Sequence, residues 1–240
     1  MLAIWKRELH NYFLTPIGYV FMAVFLAAGA VFFMMYNVMG ATNSLETMFG
    51  NLSYLFMLIV PVITMKLLAE EKRNKTDQLL LTAPISISSI VIGKFLAAVT
   101  LLALSLLGTV FSIIVIVTYG KAYWGLIFSN YLGYFLMCTT YIAIGVLMSA
   151  LTENQVSAAV MTFGVNLGLQ IIESVAPSLT LPAYLGWLGT ALNWFSLYQR
   201  YYTFTAGVVS VANVIYYLSF IGIVLFLAVR VIDKRRWSEG

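Results

Sequence analysis

Few side chains in this sequence are equipped for chemistry, and their types and spacing exclude most of it. His10 and Cys138 are each the sole residue of their kind in 240, so neither a His/Cys metal site nor an internal disulfide can be assembled. The zinc motif HExxH and the nucleophile motif GxSxG are both missing. So is the phosphate loop GxxxxGK[ST]: Gly93-Lys94 lacks its upstream glycine and its Ser/Thr, and the chain cannot hydrolyse ATP by that mechanism. Two polar constellations remain. Glu70, Glu71, Lys72 and Arg73 form a mixed-charge cluster. Asn166, Gln170 and Glu173 recur at i, i+4 and i+7 and share one helical face. That face either lines a polar path or hydrogen-bonds a neighbouring helix. An ion-coupled carrier would need an intramembrane carboxylate, and Glu173 is the candidate.

The elements that carry these residues are set by composition. Hydrophobic residues make up 62% of the chain and charged residues 9%, whereas a soluble domain carries about 25% charged residues. Lipid is therefore the solvent for most of the chain. Apolar runs at about 17–39, 52–68, 95–118, 126–151, 156–175 and 214–232 are each long enough to cross a bilayer. They are continuous rather than alternating, which predicts six helices and not a barrel. The fold class is all-α, one transmembrane domain over residues 1–240. The run from residue 17 exceeds a signal-peptide core and reads as a retained span. Of the 13 Lys and Arg, all but Lys121 and Arg200 fall on one side of this arrangement. The positive-inside rule then places both termini in the cytoplasm. The net charge of +4 is answered by anionic head groups and calls for no nucleic acid.

Three stretches are more than simple spans. Residues 2–14 place Leu2, Trp5, Leu9, Tyr12 and Phe13 on one helical face and Lys6, Arg7, His10 and Asn11 on the other. This is a helix lying in the interface, with Trp5, Lys6, Arg7 and Glu8 as anchor or partner contacts. Residues 70–94 form the largest loop on the basic side. Thr76 or Asp77 can cap a short helix through Leu79, Leu80 and Leu81 that stops before Pro84, and Ser86, Ser88 or Ser89 can cap the next helix. Residues 177–207 are rich in Trp, Tyr and Phe, as expected of short helices dipping into the outer interface. Pro61 is expected to kink the second span.

The run PVITMKLLAEEKRNKTDQLLLTAPISISSIVIGK from Pro61 resembles type-2 ABC transporter permeases. The matching features are the cluster Glu70 to Arg73, then Thr76, Leu79 to Leu81, Pro84 to Ser86, and Gly93-Lys94 before the third span. WKREL near the start, SALTENQVSAA after the fourth span and the basic run ending in Trp237 extend the likeness over most of the chain. It is most similar to the gliding-motility-associated permeases. One departure is Lys75, where the family usually has glycine.

The resemblance implies a permease subunit, exporter-like, in a bacterial inner membrane. It implies a coupling helix that docks on a separate ABC-type ATPase, with Glu70, Glu71, Arg73, Thr76, Asp77, Leu79, Leu80 and Leu81 as its residues here. ATP and Mg would be bound by that partner and no cofactor by this chain. A second permease chain, identical or different, would complete the unit, with room for an accessory subunit. The competing expectations are an ion-coupled carrier, and a membrane scaffold or mechanical transducer driven by the same ATPase.

Overall fold

The computed structural model describes residues 1–75, 86–175 and 196–238, with side chains through 172 in the second segment and through 234 in the last. Among the described residues every regular element is helical. They are α1 (Leu2–Leu14), α2 (Pro16–Phe33) running into a π-type turn (Met34–Val38), α3 (Glu46–Thr64), α4 (Lys66–Arg73), α5 (Ile87–Gly108) and α6 (Val110–Tyr119). There follow α7 (Trp124–Leu151), α8 (Gln155–Val175), α9 (Leu197–Thr205) and α10 (Val211–Ser238). Six stretches are long and apolar enough to cross a membrane: Pro16–Val38, Glu46–Arg73, Ile87–Tyr119, Trp124–Leu151, Gln155–Ile172 and Val211–Lys234.

The spans match the expected apolar runs in number and place, but two begin earlier. The second starts at Glu46 rather than near residue 52, because Met48 and Phe49 are buried against the bundle despite the polar residues Thr47 and Asn51 that flank this stretch. The third starts at Ile87 rather than near residue 95, because Ser86 caps it by accepting from the Ser89 amide. Lys94, at the end of the stretch 70–94, therefore lies on the helix that the expected serine cap begins. The second span breaks at Met65, one turn after Pro61, so the interruption separates α3 from α4.

The bundle is built around α7, which packs against α3, α4, α5, α8, α9 and α10. Its span is 78% buried against 17% for α8, so α7 is the axis and α8 lies at the periphery of this chain. Small residues let neighbours approach it closely, as in other membrane bundles. A Cβ on Gly133 would lie 2.6 Å from the Phe204 side chain, and one on Gly145 would lie 2.7 Å from Thr64 Cβ. Far from α4, Ser129 Oγ donates to the Phe204 carbonyl (2.8 Å) and Tyr217 Oη donates to that of Leu197 (2.6 Å). These bonds fix α9 between α7 and α10. Ser196 caps α9, and Arg200 stacks 3.8 Å above the Tyr216 ring. The aromatic stretch is thus helical where described, and part of it is core: Leu197, Tyr201 and Phe204 are buried. Residues 177–195 of it lie outside the described residues.

Candidate functional site: a charged junction at the basic end of the bundle

The amphipathic helix α1 packs along α5 and is the first wall of the site. Its buried residues are Ile4, Glu8 and Tyr12, while Leu2 is 70% exposed. The seated face is thus rotated from the one the hydrophobic pattern indicates. Two contacts explain the rotation. Ile4 sits on Gly93, where an added Cβ would be 3.1 Å from Ile4 Cβ and 3.2 Å from the Met1 carbonyl oxygen. Trp5 Nε1 donates to Thr100 Oγ1 at 3.0 Å, tying the helix to α5 a second time. At its far end Tyr12 Oη donates to the Ile63 carbonyl at 2.7 Å, and burial pushes this phenol well above its usual range.

The rotation points Glu8 inward, where it meets three other charges. Arg7 Nη2 lies 2.7 Å from Glu8 Oε1 and 2.9 Å from Glu71 Oε1. Lys94 Nζ lies 3.2 Å from Glu8 Oε1 and 2.9 Å from Glu71 Oε1. Cations and carboxylates alternate around this ring, which joins α1, α4 and α5. Lys94 is 1% exposed, and among the described residues Glu8 and Glu71 are the carboxylates that pair with it. The hydrogen bond to Glu8 is the main cause that holds the Arg7 guanidinium above its ordinary value.

The other side of α4 is held by α7. The break at Met65 leaves the first amides of α4 without intrahelical acceptors. Ser149 Oγ accepts from the amides of Leu68 and Ala69, both at 3.0 Å, and donates to the Met65 carbonyl at 3.1 Å. Lys72 Nζ donates to the Ala150 carbonyl. The helix therefore has a clasp on each flank: Ser149 and Ala150 on one, Arg7 and Lys94 on the other. It ends at Asn74, and Lys75 follows at φ +55, a left-handed conformation that favours glycine. This is the position where the resemblance expects glycine.

The residues expected in the coupling element fall into distinct places. Glu71 is in the ring, Glu70 lines a cavity beside it, and Arg73 is exposed. Thr76, Asp77, Leu79, Leu80 and Leu81 lie outside the described residues. On α1, Trp5 and Glu8 face the bundle, Lys6 is exposed and Arg7 spans both environments. In α8, Asn166 and Gln170 are buried, and the Glu173 side chain lies outside the described residues. Sequence reasoning missed Lys94, Thr100 and Ser149. Lys94 carried a usable signal, since a lysine that continues into an apolar run demands a partner.

The ionic clasp thus surrounds a helix that leads toward the basic loop. The model described as "ABC-2 family transporter protein" matches residues 35–232. The chain belongs to the ABC-2 transporter family. Among curated proteins none matches the sequence. As an ABC-2 permease the chain is a multi-pass membrane protein and a non-catalytic subunit, working with a separate ATPase. The ion-coupled carrier expectation gives way on this finding. The matched region begins after α1, so Arg7 and Glu8, half of the ring, stand outside it.

Proposed function

We propose that this ABC-2 permease receives the ATPase stroke on Arg73 and residues 76–81, and passes it through α4 to α1 and α5. The observation that carries the reading is the double clasp: α4 cannot move without pulling Glu71 against Arg7 and Lys94, or Ser149 against the α4 amides. Closure of the ATPase dimer on ATP would shift the permease between two packings, with ATP and Mg held by the partner and no cofactor by this chain. All 240 residues act as one transmembrane domain. Both termini lie in the cytoplasm of a bacterial cell whose inner membrane the chain spans; the one-sided Lys and Arg support this. A second permease chain, identical or different, completes the transporter, with an accessory subunit admissible. Transport runs outward, as in the exporter-like relatives that the motifs resemble, and those motifs support a place beside the gliding-motility-associated permeases. A buried amide supports the inner face of α8 as the path: Asn166 is 0% exposed, and neither amide atom has a hydrogen-bond partner among the described residues.

The test is co-purification of the full chain with its ATPase from native membranes, comparing Arg73→Glu and a Leu79/Leu80/Leu81→Ser triple variant with the unaltered protein. Release of the ATPase by variants that remain folded supports the docking assignment. Retention by both variants places docking elsewhere, and failure of any ATPase to co-purify with the unaltered chain removes the engine from the proposal.

A further inference from the structure

Beside the ionic ring lies a partly open cavity of about 620 Å³, between the C-terminal half of α1, the start of α2 and the α3–α4 break. Its lining is mixed: Ile17, Val62 and Leu67 supply apolar wall, while Lys66 and Glu70 supply charge. Four other charged residues also line it, Arg7, Glu8, Glu71 and Lys94, but these neutralise one another in the ring. Lys66 and Glu70 are different. They stand at i and i+4 on α4, both half-buried, yet neither makes an ion pair or a side-chain hydrogen bond among the described residues. The lysine precedes the glutamate, the less favourable order for an intrahelical pair. One cation and one anion are thus left over in a cavity that also presents hydrocarbon.

We propose that this cavity holds the head group and upper acyl chain of a zwitterionic phospholipid with a primary ammonium. The phosphate meets Lys66, the ammonium meets Glu70, and the acyl chain covers Ile17, Val62 and Leu67. A simple anion would answer Lys66 and leave Glu70 beside a negative charge. A soluble phosphoethanolamine ester would match both charges but leave the apolar wall bare. The surrounding bilayer supplies the amphiphile that satisfies all three requirements, and cavities beside basic residues at span ends are where lipid head groups are bound. The inference rests on the membrane character of the chain and not on its ATPase docking.

The experiment is native mass spectrometry of the full chain in detergent after delipidation, with phosphatidylethanolamine and phosphatidylglycerol added back at equal concentration. The unaltered protein should retain phosphatidylethanolamine about 10-fold better, the return of one charge-assisted contact. Lys66→Gln should lower that retention by about 10-fold, and Glu70→Gln should turn the preference toward phosphatidylglycerol by removing the repelling carboxylate. Val62→Trp, which fills the cavity without altering charge, should lose both lipids. Equal retention of the two lipids by the unaltered chain, or retention unchanged in all three variants, overturns the proposal. Displacement of the lipid by soluble glycerophosphoethanolamine at matched concentration also overturns it, because the apolar wall would then contribute nothing.

Discussion

Replacing Lys94 by methionine removes the ammonium from the ring and keeps most of the apolar stem. In the intact protein Lys94 Nζ stands 3.2 Å from Glu8 Oε1 and 2.9 Å from Glu71 Oε1, with the side chain 1% exposed. Breaking a buried pair by removing one partner costs about 3–5 kcal/mol, because the remaining charge is stranded. Here two carboxylates would be stranded, but Arg7 still reaches both. Glu8 and Glu71 also keep 11% and 18% side-chain exposure, so water relieves part of the cost. The expected loss is therefore at the lower end, about 3 kcal/mol. The informative companion is the double variant Glu8→Gln/Lys94→Met, which leaves Arg7 and Glu71 as a balanced pair. Its loss should fall short of the sum of the single losses by about 1–3 kcal/mol, the coupling expected of contacting charges. The assay is equilibrium denaturation of the full chain in mixed micelles, followed by helix content. Little of the loss should be recovered by salt, since buried pairs are weakly screened. Additivity to within about 0.5 kcal/mol, the behaviour of independent sites, would refute the claim that the ring is one electrostatic unit.

Three further outcomes follow from the same geometry. Ser149→Ala removes the acceptor shared by the Leu68 and Ala69 amides. It should cost about 1–3 kcal/mol in the same denaturation assay, and stimulation of the partner ATPase should weaken in reconstituted vesicles. Gly145→Val forces a branched side chain against Thr64 at the crossing of α3 and α7. It should cost at least about 1–3 kcal/mol through overpacking and lower the yield of folded protein in size-exclusion chromatography. Lys75→Gly relieves the left-handed backbone at the end of α4. It should raise stability by up to about 1 kcal/mol, measured as a shift of the denaturation midpoint.

Much of the architecture was legible because lipid imposes a simple rule: a long uncharged run must become a helix that satisfies its own backbone. Hence all six spans were found, and the cap at Ser86 was among the expected ones. What was not legible depends on partners remote in sequence. Lys94 reads locally as the end of a loop, since a lysine ordinarily seeks water. Only Glu8 and Glu71, brought in by α1 and α4, make its burial tolerable. The face of α1 was legible in Trp5, Leu9, Tyr12 and Phe13, which pack inward, but the pattern also turns Leu2 inward and gives Glu8 no reason to be buried. Met48 and Phe49 are core residues that the hydropathy of their neighbours hides. The left-handed backbone at Lys75 was foreshadowed by comparison with the family's glycine, not by any propensity of lysine.

The ring also sets an order on how the chain is made. Glu8 precedes Lys94 by 86 residues. At a synthesis rate of about 5–20 residues per second, roughly 4–17 s pass between them. Through that interval α1 exists without the groove at Gly93 and without the ammonium that answers Glu8. The nascent amphipathic helix must wait at the membrane surface with its carboxylate in water, held by Trp5, Leu9 and Phe13. Locking α1 into place thus waits for the third span, although α1 is made well before it. Slow codons or a stalled ribosome between the third and fourth spans would leave α4 without the Ser149 clasp, tied on the flank of α1 and α5 alone.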